Sequence, residues 1–407
     1  MHIAAGRNQG GDARVAMMLL AIGTRRMFST TSVMARQVTR SFPAIFARGG
    51  TSNGFVINRD DLPQDESQWQ PILASAMGSP DSFGRQLNGM GSGISSTSKI
   101  CVLSKSTRED ADVDFKFVQV GIKEGELDVA GNCGNMSSVV GPVAWDEGLL
   151  ARRSSIEDGE ATVRIFNSNT SKIIHSTFSV DANSQKYEPC GDYSIDGVPG
   201  SGSRITLSFL DPAGAKTGKA LPTGNAIDVL TLEDGASIRA SLVDVSNPGV
   251  FVLAQDIGVA GKISADALNA DTALMARLEE IRQAGAEKMG LDRRTQTVPK
   301  IVLLSKPGTG STANIVCRAL SMQQAHKAVP LTLALNLGSA CRIPGTLPAQ
   351  IAVGTAGKQS VTIEHASGQL EVGAVMSEDG KIESALLHRT ARILMRGEVF
   401  YTVDEDS

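Results

Sequence analysis

Histidine and cysteine are scarce, with five of each in 407 residues. There is no H-E-x-x-H and no C-x-x-C, so neither a metal hydrolase nor a structural zinc site is expected. Cys101, Cys133, Cys190, Cys317 and Cys341 are odd in number and scattered, which argues against a disulfide framework. A phosphate-cradling G-x-x-x-x-G-K-[ST] is missing, and so is the G-x-S-x-G elbow of serine hydrolases. The net charge of −4 calls for neither nucleic acid nor an anionic membrane as a partner. The apolar run Val15–Ile22 falls far short of the ~20 residues that span a bilayer.

What is present suits a soluble globular chain. Hydrophobic residues make up 41% and charged residues 20%, while 42 glycines accompany only 4% aromatics. That mix favours tight turns and small-residue packing in an α+β fold. The length argues for two domains. The first forty residues stand apart, with six arginines (Arg7, Arg14, Arg25, Arg26, Arg36 and Arg40), no lysine and one acid, Asp12. Arg-rich, Ser-rich and acid-poor is the composition of a transit peptide, so residues 1–40 point to the mitochondrial matrix. The competing reading is a disordered tail on a cytoplasmic protein.

The remainder reads as one order of elements used twice, over 41–215 and 216–407. In the first half, a helix at Trp69–Met77 precedes strands at Lys99–Leu103 and Phe115–Ile122. A small-residue helix over Met136–Leu150 follows, and then more strands. In the second, a long helix Ala265–Met289 precedes strands at Lys300–Leu304 and Asn314–Leu320. A small-residue helix follows at about Gln323–Ala340, and strands finish. A narrow helix of Ala, Gly, Ser and Val can be wrapped closely by a curved sheet. Two such units side by side leave a cleft, where ligands commonly bind.

Cys133 is the singular cysteine. It sits in Gly131-Asn132-Cys133-Gly134-Asn135, at the expected mouth of a helix. Free N–H groups and the positive dipole end favour a thiolate there, which can remove and return a proton. A small buried residue in a tight turn is the competing reading, and the residues alone do not choose. Lys99 follows Ser95-Ser96-Thr97-Ser98 and enters an apolar strand, where a lysine is costly unless paired or functional. Its cation would stabilise an enolate, or its neutral amine would act as base. A strand-end lysine reaching solvent is the alternative. Gly49-Gly50-Thr51-Ser52 and the stretch Asn88–Ser98 offer backbone N–H groups for anion-binding nests. Cys101 and Cys317 read as small core residues on strands.

Ten short motifs together resemble the 2-methylaconitate cis–trans isomerase (PrpF) family. Those of the first half are Arg48-Gly49-Gly50-Thr51-Ser52, Met77-Gly78-Ser79-Pro80-Asp81, Gly89-Met90-Gly91, Ser96-Thr97-Ser98-Lys99, Asp112-Val113-Asp114 and the segment around Cys133. Those of the second are Pro222-Thr223-Gly224-Asn225, Arg318-Ala319-Leu320-Ser321-Met322, Ile343-Pro344-Gly345-Thr346 and Glu364-His365-Ala366-Ser367-Gly368. The resemblance spans about Pro43 to Tyr401. It implies a diaminopimelate-epimerase-like fold: two pseudo-repeated domains, each a β-barrel-like sheet around a central helix. It also implies a cleft that uses no cofactor and no metal, with Lys99 and Cys133 handling a proton.

Substrate contacts are implied for Thr51, Ser52, Ser96, Thr97, Ser98, Asn132, Gly134 and Asn135, and for Ser321 and Met322 from the second domain. In the epimerases a cysteine opens the second helix; here Ser321-Met322 stands at that place, which disfavours an amino-acid racemase. The expected substrate is an aconitate-like di- or tricarboxylic acid, isomerised cis–trans. A double-bond shift or tautomerisation of a methylitaconate- or oxalomesaconate-type acid is the alternative, and a non-catalytic partner of an aconitase-like enzyme is a third. A homodimer is compatible with all of them. Two departures, Asn53 for a lysine and Asn88 for an aspartate, bear on substrate identity.

Overall fold

In the computed structural model, residues 36–404 are described apart from 130, 131, 297 and 322. The transit-peptide reading therefore falls almost wholly outside the described residues, and so does Met322.

The chain runs β1 (Gln37–Gly49), β2 (Ser52–Asn58), α1 (Trp69–Met77), β3 (Lys99–Lys105), β4 (Val113–Val120), β5 (Leu127–Asp128), α2 (Gly134–Asp146), β6 (Glu160–Asn167), β7 (Lys172–Ser179) and β8 (Ile205–Leu210). It continues through β9 (Asp228–Thr231), β10 (Ser237–Val245), β11 (Asn247–Leu253), α3 (Ala265–Ala270), α4 (Thr272–Lys288), β12 (Lys300–Ser305), β13 (Ile315–Ser321) and β14 (Gln324–Ala325). It closes with α5 (Leu331–Ala340), α6 (Leu347–Ile351), β15 (Ser360–His365), β16 (Gly368–Met376), β17 (Ile382–Arg389) and β18 (Ala391–Asp404).

The pairings repeat along with the order. β2–β3 is parallel and β3–β4 antiparallel, and so are β11–β12 and β12–β13. β4–β6 is parallel, as is β13–β15. Antiparallel β6–β7–β8 matches β15–β16–β17. The halves are joined where β8 pairs with β17. β18, last in the chain, returns to the first unit and pairs along the whole of β1.

Each unit wraps a central helix. Eleven residues of α2 are buried, Gly134 and Met136–Trp145, so it is enclosed all round rather than amphipathic. Strand β6 alternates buried and partly exposed positions, which turns one face inward. Small residues set how close the sheet comes. A Cβ on Gly141 would meet Ser176 Oγ of β7 at 2.5 Å, and one on Gly338 of α5 would meet Val372 Cγ2 of β16 at 2.6 Å. These glycines stand at the same place in the two helices, facing equivalent strands. One buried cluster runs from around α2 to around α5. Outside it, α1 covers the first sheet with Trp69, Leu73 and Met77, joined by Val399 and Val403 of β18. The pair α3–α4 covers the second. Among the described residues no helix is long and apolar enough to cross a membrane.

The structure differs from the sequence expectation in the second half. The helix expected over Ala265–Met289 is two, because Asp271 leaves the helix and its side chain accepts the Leu274 N–H to start α4. The helix expected from Gln323 begins only at Leu331, with Pro330 as its cap. Proline disfavours helical backbone in the residue before it, here Val329. The expectation also lacked β9, β10 and β17.

Candidate active site

Lys99 opens β3 and is only 9% exposed. A lysine so placed needs a partner, since an unpaired buried charge costs several kcal/mol. Gln119, its register partner on β4, supplies one: Lys99 Nζ donates to Gln119 Oε1 at 2.6 Å. The ammonium also lies 5.0 Å from the Phe117 ring centroid. Gln119 is oriented in turn, because its Nε2 donates to the carbonyls of Ser95 (3.1 Å) and Ser98 (2.8 Å). The amine is thus pinned where the strand meets the serine-rich turn.

That turn is built around Gln86, which is fully buried. Its Nε2 donates to Ser79 Oγ at 3.0 Å and Ser98 Oγ at 2.8 Å, and its Oε1 accepts the Gly93 N–H at 3.1 Å. Asp81 gathers the N–H groups of Phe83, Arg85 and Gln86, and these bonds hold its carboxyl below the usual range. Ser98 is buried, and its hydroxyl donates to the Val120 carbonyl. Ser98 and Thr97 therefore brace the loop, whereas Ser96 lines the cavity beside Lys99. No local pattern singled out Gln86, since its partners lie in turns whose folding it helps to define.

Cys133 is the N-cap of α2, half-buried and in extended conformation. Its carbonyl accepts from Ser137 N at 2.8 Å and Ser137 Oγ at 3.0 Å, and Asn132 Oδ1 also takes the Ser137 hydroxyl at 3.2 Å. Among the described residues no side chain caps the helix, so its first N–H groups are open to an anion at the cavity. Gly134 lies against the start of α5: a Cβ there would sit 2.1 Å from Leu331 Cδ2, so that side chain would have to move. The mouths of the two central helices thus face each other. Asn135 ties in the glycine turn, with Nδ2 donating to Thr51 Oγ1 at 3.1 Å and Oδ1 accepting from Arg389 Nε at 2.9 Å. Cys101 behind it is a core thiol, pushed well up by burial.

These parts line one cavity of about 960 Å³. Thr51, Ser52, Ser96, Lys99, Asn132, Cys133, Gly134 and Asn135 all line it; Thr97, Ser98 and Ser321 do not. Ser321 ends β13 and borders a separate small space with Met275 and Glu279. The sequence reading put Ser321-Met322 at the mouth of the second helix. Pro330 holds that place instead, and Ser321 occupies the position in the repeat that Gln119 holds in the first unit.

The second unit contributes residues that sequence reasoning missed. Lys300 opens β12 and lines the cavity, and burial pulls its amine down from the ordinary value. Arg389 arrives from the end of β17. A loop of the first unit crosses over as well: Asp196 Oδ2 accepts the Gln369 N–H at 2.6 Å, and burial pushes the Tyr193 hydroxyl up to about 12.

An amine and a thiol at one cavity, among further cations and a helix mouth, have the chemistry to hold an anion and to move a proton on it. The PrpF protein family model matches residues 39–402, and the chain belongs to that family. It is 38% identical over 376 residues to the 3-methylitaconate isomerase of Eubacterium barkeri, covering 88% of this chain and 96% of that protein. It is 37% identical over 383 residues to the 2-methyl-aconitate isomerase of Cupriavidus necator, covering 88% and 96%. The crystal structure of methylitaconate-delta-isomerase matches with a TM-score of 0.81 at 37% identity, covering 89% of this chain and 96% of that one. The chain is an isomerase with that α+β architecture.

Proposed function

We propose that the chain isomerises an aconitate-like di- or tricarboxylic acid cis–trans, by removing an allylic proton and returning it, with no cofactor. The observation that carries this is the opening of Lys99 and Cys133 onto one cavity that Lys300 also lines. Cys133 as thiolate takes a proton from the CH₂ beside the C=C, giving thiol and dienolate. The charge spreads into the flanking carboxylates, where Lys99 and the α2 N–H groups hold it. The former double bond has become single and rotates. Proton return to the same carbon then gives the geometric isomer.

Return to the far carbon would shift the double bond instead. This second reading is supported by the likeness to methylitaconate-delta-isomerase, whose name denotes a shifted double bond. The test is proton NMR of the purified protein with cis-aconitate, 2-methylaconitate and methylitaconate. Geometric isomers as first products support the proposal; a displaced double bond supports the second reading; no turnover of any acid overturns both.

The composition of residues 1–40 supports delivery to the mitochondrial matrix. Terminal sequencing of protein recovered from cells should find a start between about Phe28 and Arg36; an intact Met1 contradicts processing.

A further inference from the structure

We propose that Arg389 is a carboxylate-binding residue of this site, holding one carboxylate of the substrate beside Cys133; this rests on the function proposed above. Arg389 is only 7% exposed. A guanidinium taken out of water needs a counter-charge, yet no carboxylate among the described residues forms an ion pair with it. Its partners are neutral: Nε donates to Asn135 Oδ1 at 2.9 Å and Nη1 to the His388 carbonyl at 2.9 Å. Nη2 has no partner among the described residues, on a side chain that lines the cavity. Burial draws the guanidinium down to about 10, against the opposing pull of Tyr193 and Cys133.

The surroundings are built to deliver this charge. Gly50 has φ +53, and a Cβ there would lie 2.2 Å from Asn135 Oδ1 and 2.9 Å from Arg389 Cδ. The turn is locked over the end of β17: Gly50 N donates to the Thr390 carbonyl at 2.9 Å, and Arg48 Nη1 donates to the Thr390 carbonyl at 3.0 Å and the Gly50 carbonyl at 2.9 Å. A residue of the second unit is thereby threaded under the first unit's glycine turn to the mouth of α2. The Nε bond to Asn135 fixes the plane of the guanidinium and leaves Nη2 for the ligand. A carboxylate accepting there supplies the missing counter-charge through a charge-assisted bond. Lys99 lines the same cavity as a further cation, so the site suits acids with more than one carboxylate.

The experiment is calorimetric titration of the full chain with tricarballylate, a saturated tricarboxylate that cannot isomerise. Wild type, Arg389→Met and Arg389→Lys are compared, with folding checked by circular dichroism and thermal melting. Loss of a hydrogen-bonded charge partner, worth about 1.5–3 kcal/mol, should weaken binding roughly 10–100-fold in Arg389→Met. Arg389→Lys should lie between, because charge survives without the planar fork. If Arg389→Met does not fold, about tenfold weaker binding by a folded Arg389→Lys supports the proposal alone. Binding within about twofold of wild type in a folded variant overturns it, as does wild type that does not bind the probe. Unchanged binding with slower iodoacetamide alkylation of Cys133 also overturns it, since Arg389 would then serve only the thiolate. The titration needs no turnover: probe binding lost in the variants of a protein that isomerises no acid would sink the isomerase reading and leave Arg389 assigned.

Discussion

Lys99 and Lys300 occupy the same position in the two copies of the repeated unit. Each is the first residue of its strand, and each pairs in register with a glycine of the parallel neighbour, Gly54 for Lys99 and Gly249 for Lys300. They differ in what lies across the antiparallel ladder. Lys99 has the Gln119 side-chain oxygen Oε1, whereas Ser321 holds the corresponding place in the second unit. On the proposed mechanism the proton-handling centre lies in the first unit, and the second unit adds Lys300 to the lining of the same cavity.

Substitutions at the two lysines should separate these parts. Lys99→Met is expected to remove nearly all turnover while still binding a tricarboxylate. Lys99→Arg should keep partial activity, because the charge survives although the geometry changes. Lys300→Met should raise KM about tenfold or more with a smaller fall in kcat, the mark of lost ground-state binding. Steady-state kinetics beside probe binding checks all three. A Lys99→Arg enzyme as dead as Lys99→Met would assign proton transfer to Lys99.

Cys133→Ser should fold normally and lose roughly 10²–10⁴-fold in turnover, the usual range for a general acid–base group. The serine keeps the N-cap position and even favours it, so stability should not fall. Near-normal activity in the folded variant would reduce Cys133 to a packing role.

Gln86 positions Lys99 through the serine turn without touching the cavity. Gln86→Ala leaves Ser79 and Ser98 short of a buried donor and Gly93 short of an acceptor, at about 1–3 kcal/mol for each stranded group. Thermal melting should show the loss, and kcat should fall with it as the Lys99 end of β3 loosens. Unchanged melting would show that the loop holds without its central amide.

Acid should destabilise the fold in a defined window. Burial lowers the pKa of His175, His365 and His388 below the ordinary 6.5, so the unfolded chain takes up protons first as pH falls. Their contribution is fully present above pH 6.5 and declines below it, until the folded-state values are reached. Chemical denaturation between pH 8 and 5 should show stability falling below pH 6.5. A flat profile would mean that these rings titrate normally.

Much of the fold was legible because local signals and burial agree. Trp69–Met77 was read with the observed bounds, since apolar spacing ends at Gly78, the left-handed cap. Lys99 and Cys133 were legible for a related reason: each breaks a local rule, a charge at the head of an apolar strand and a thiol in a glycine turn. Arg389 breaks none. It ends an ordinary strand, and its significance comes from Asn135, 254 residues away. Lys300 resembles any strand-end lysine until the repeat is superposed on its first copy. The misplaced start of α5 has a plainer cause: the helix formers Gln323, Gln324, Ala325, Lys327 and Ala328 before Val329-Pro330 hid the break.

The most direct measurement is proton NMR of wild type and Cys133→Ser with the accepted acid in D₂O. Proton removal and return at one carbon should place deuterium on the allylic carbon, at a rate at least matching isomerisation in wild type and nearly abolished in Cys133→Ser. Isomerisation with no deuterium entering product or recovered substrate, at any enzyme concentration, would contradict a dienolate formed by a solvent-exchanging group.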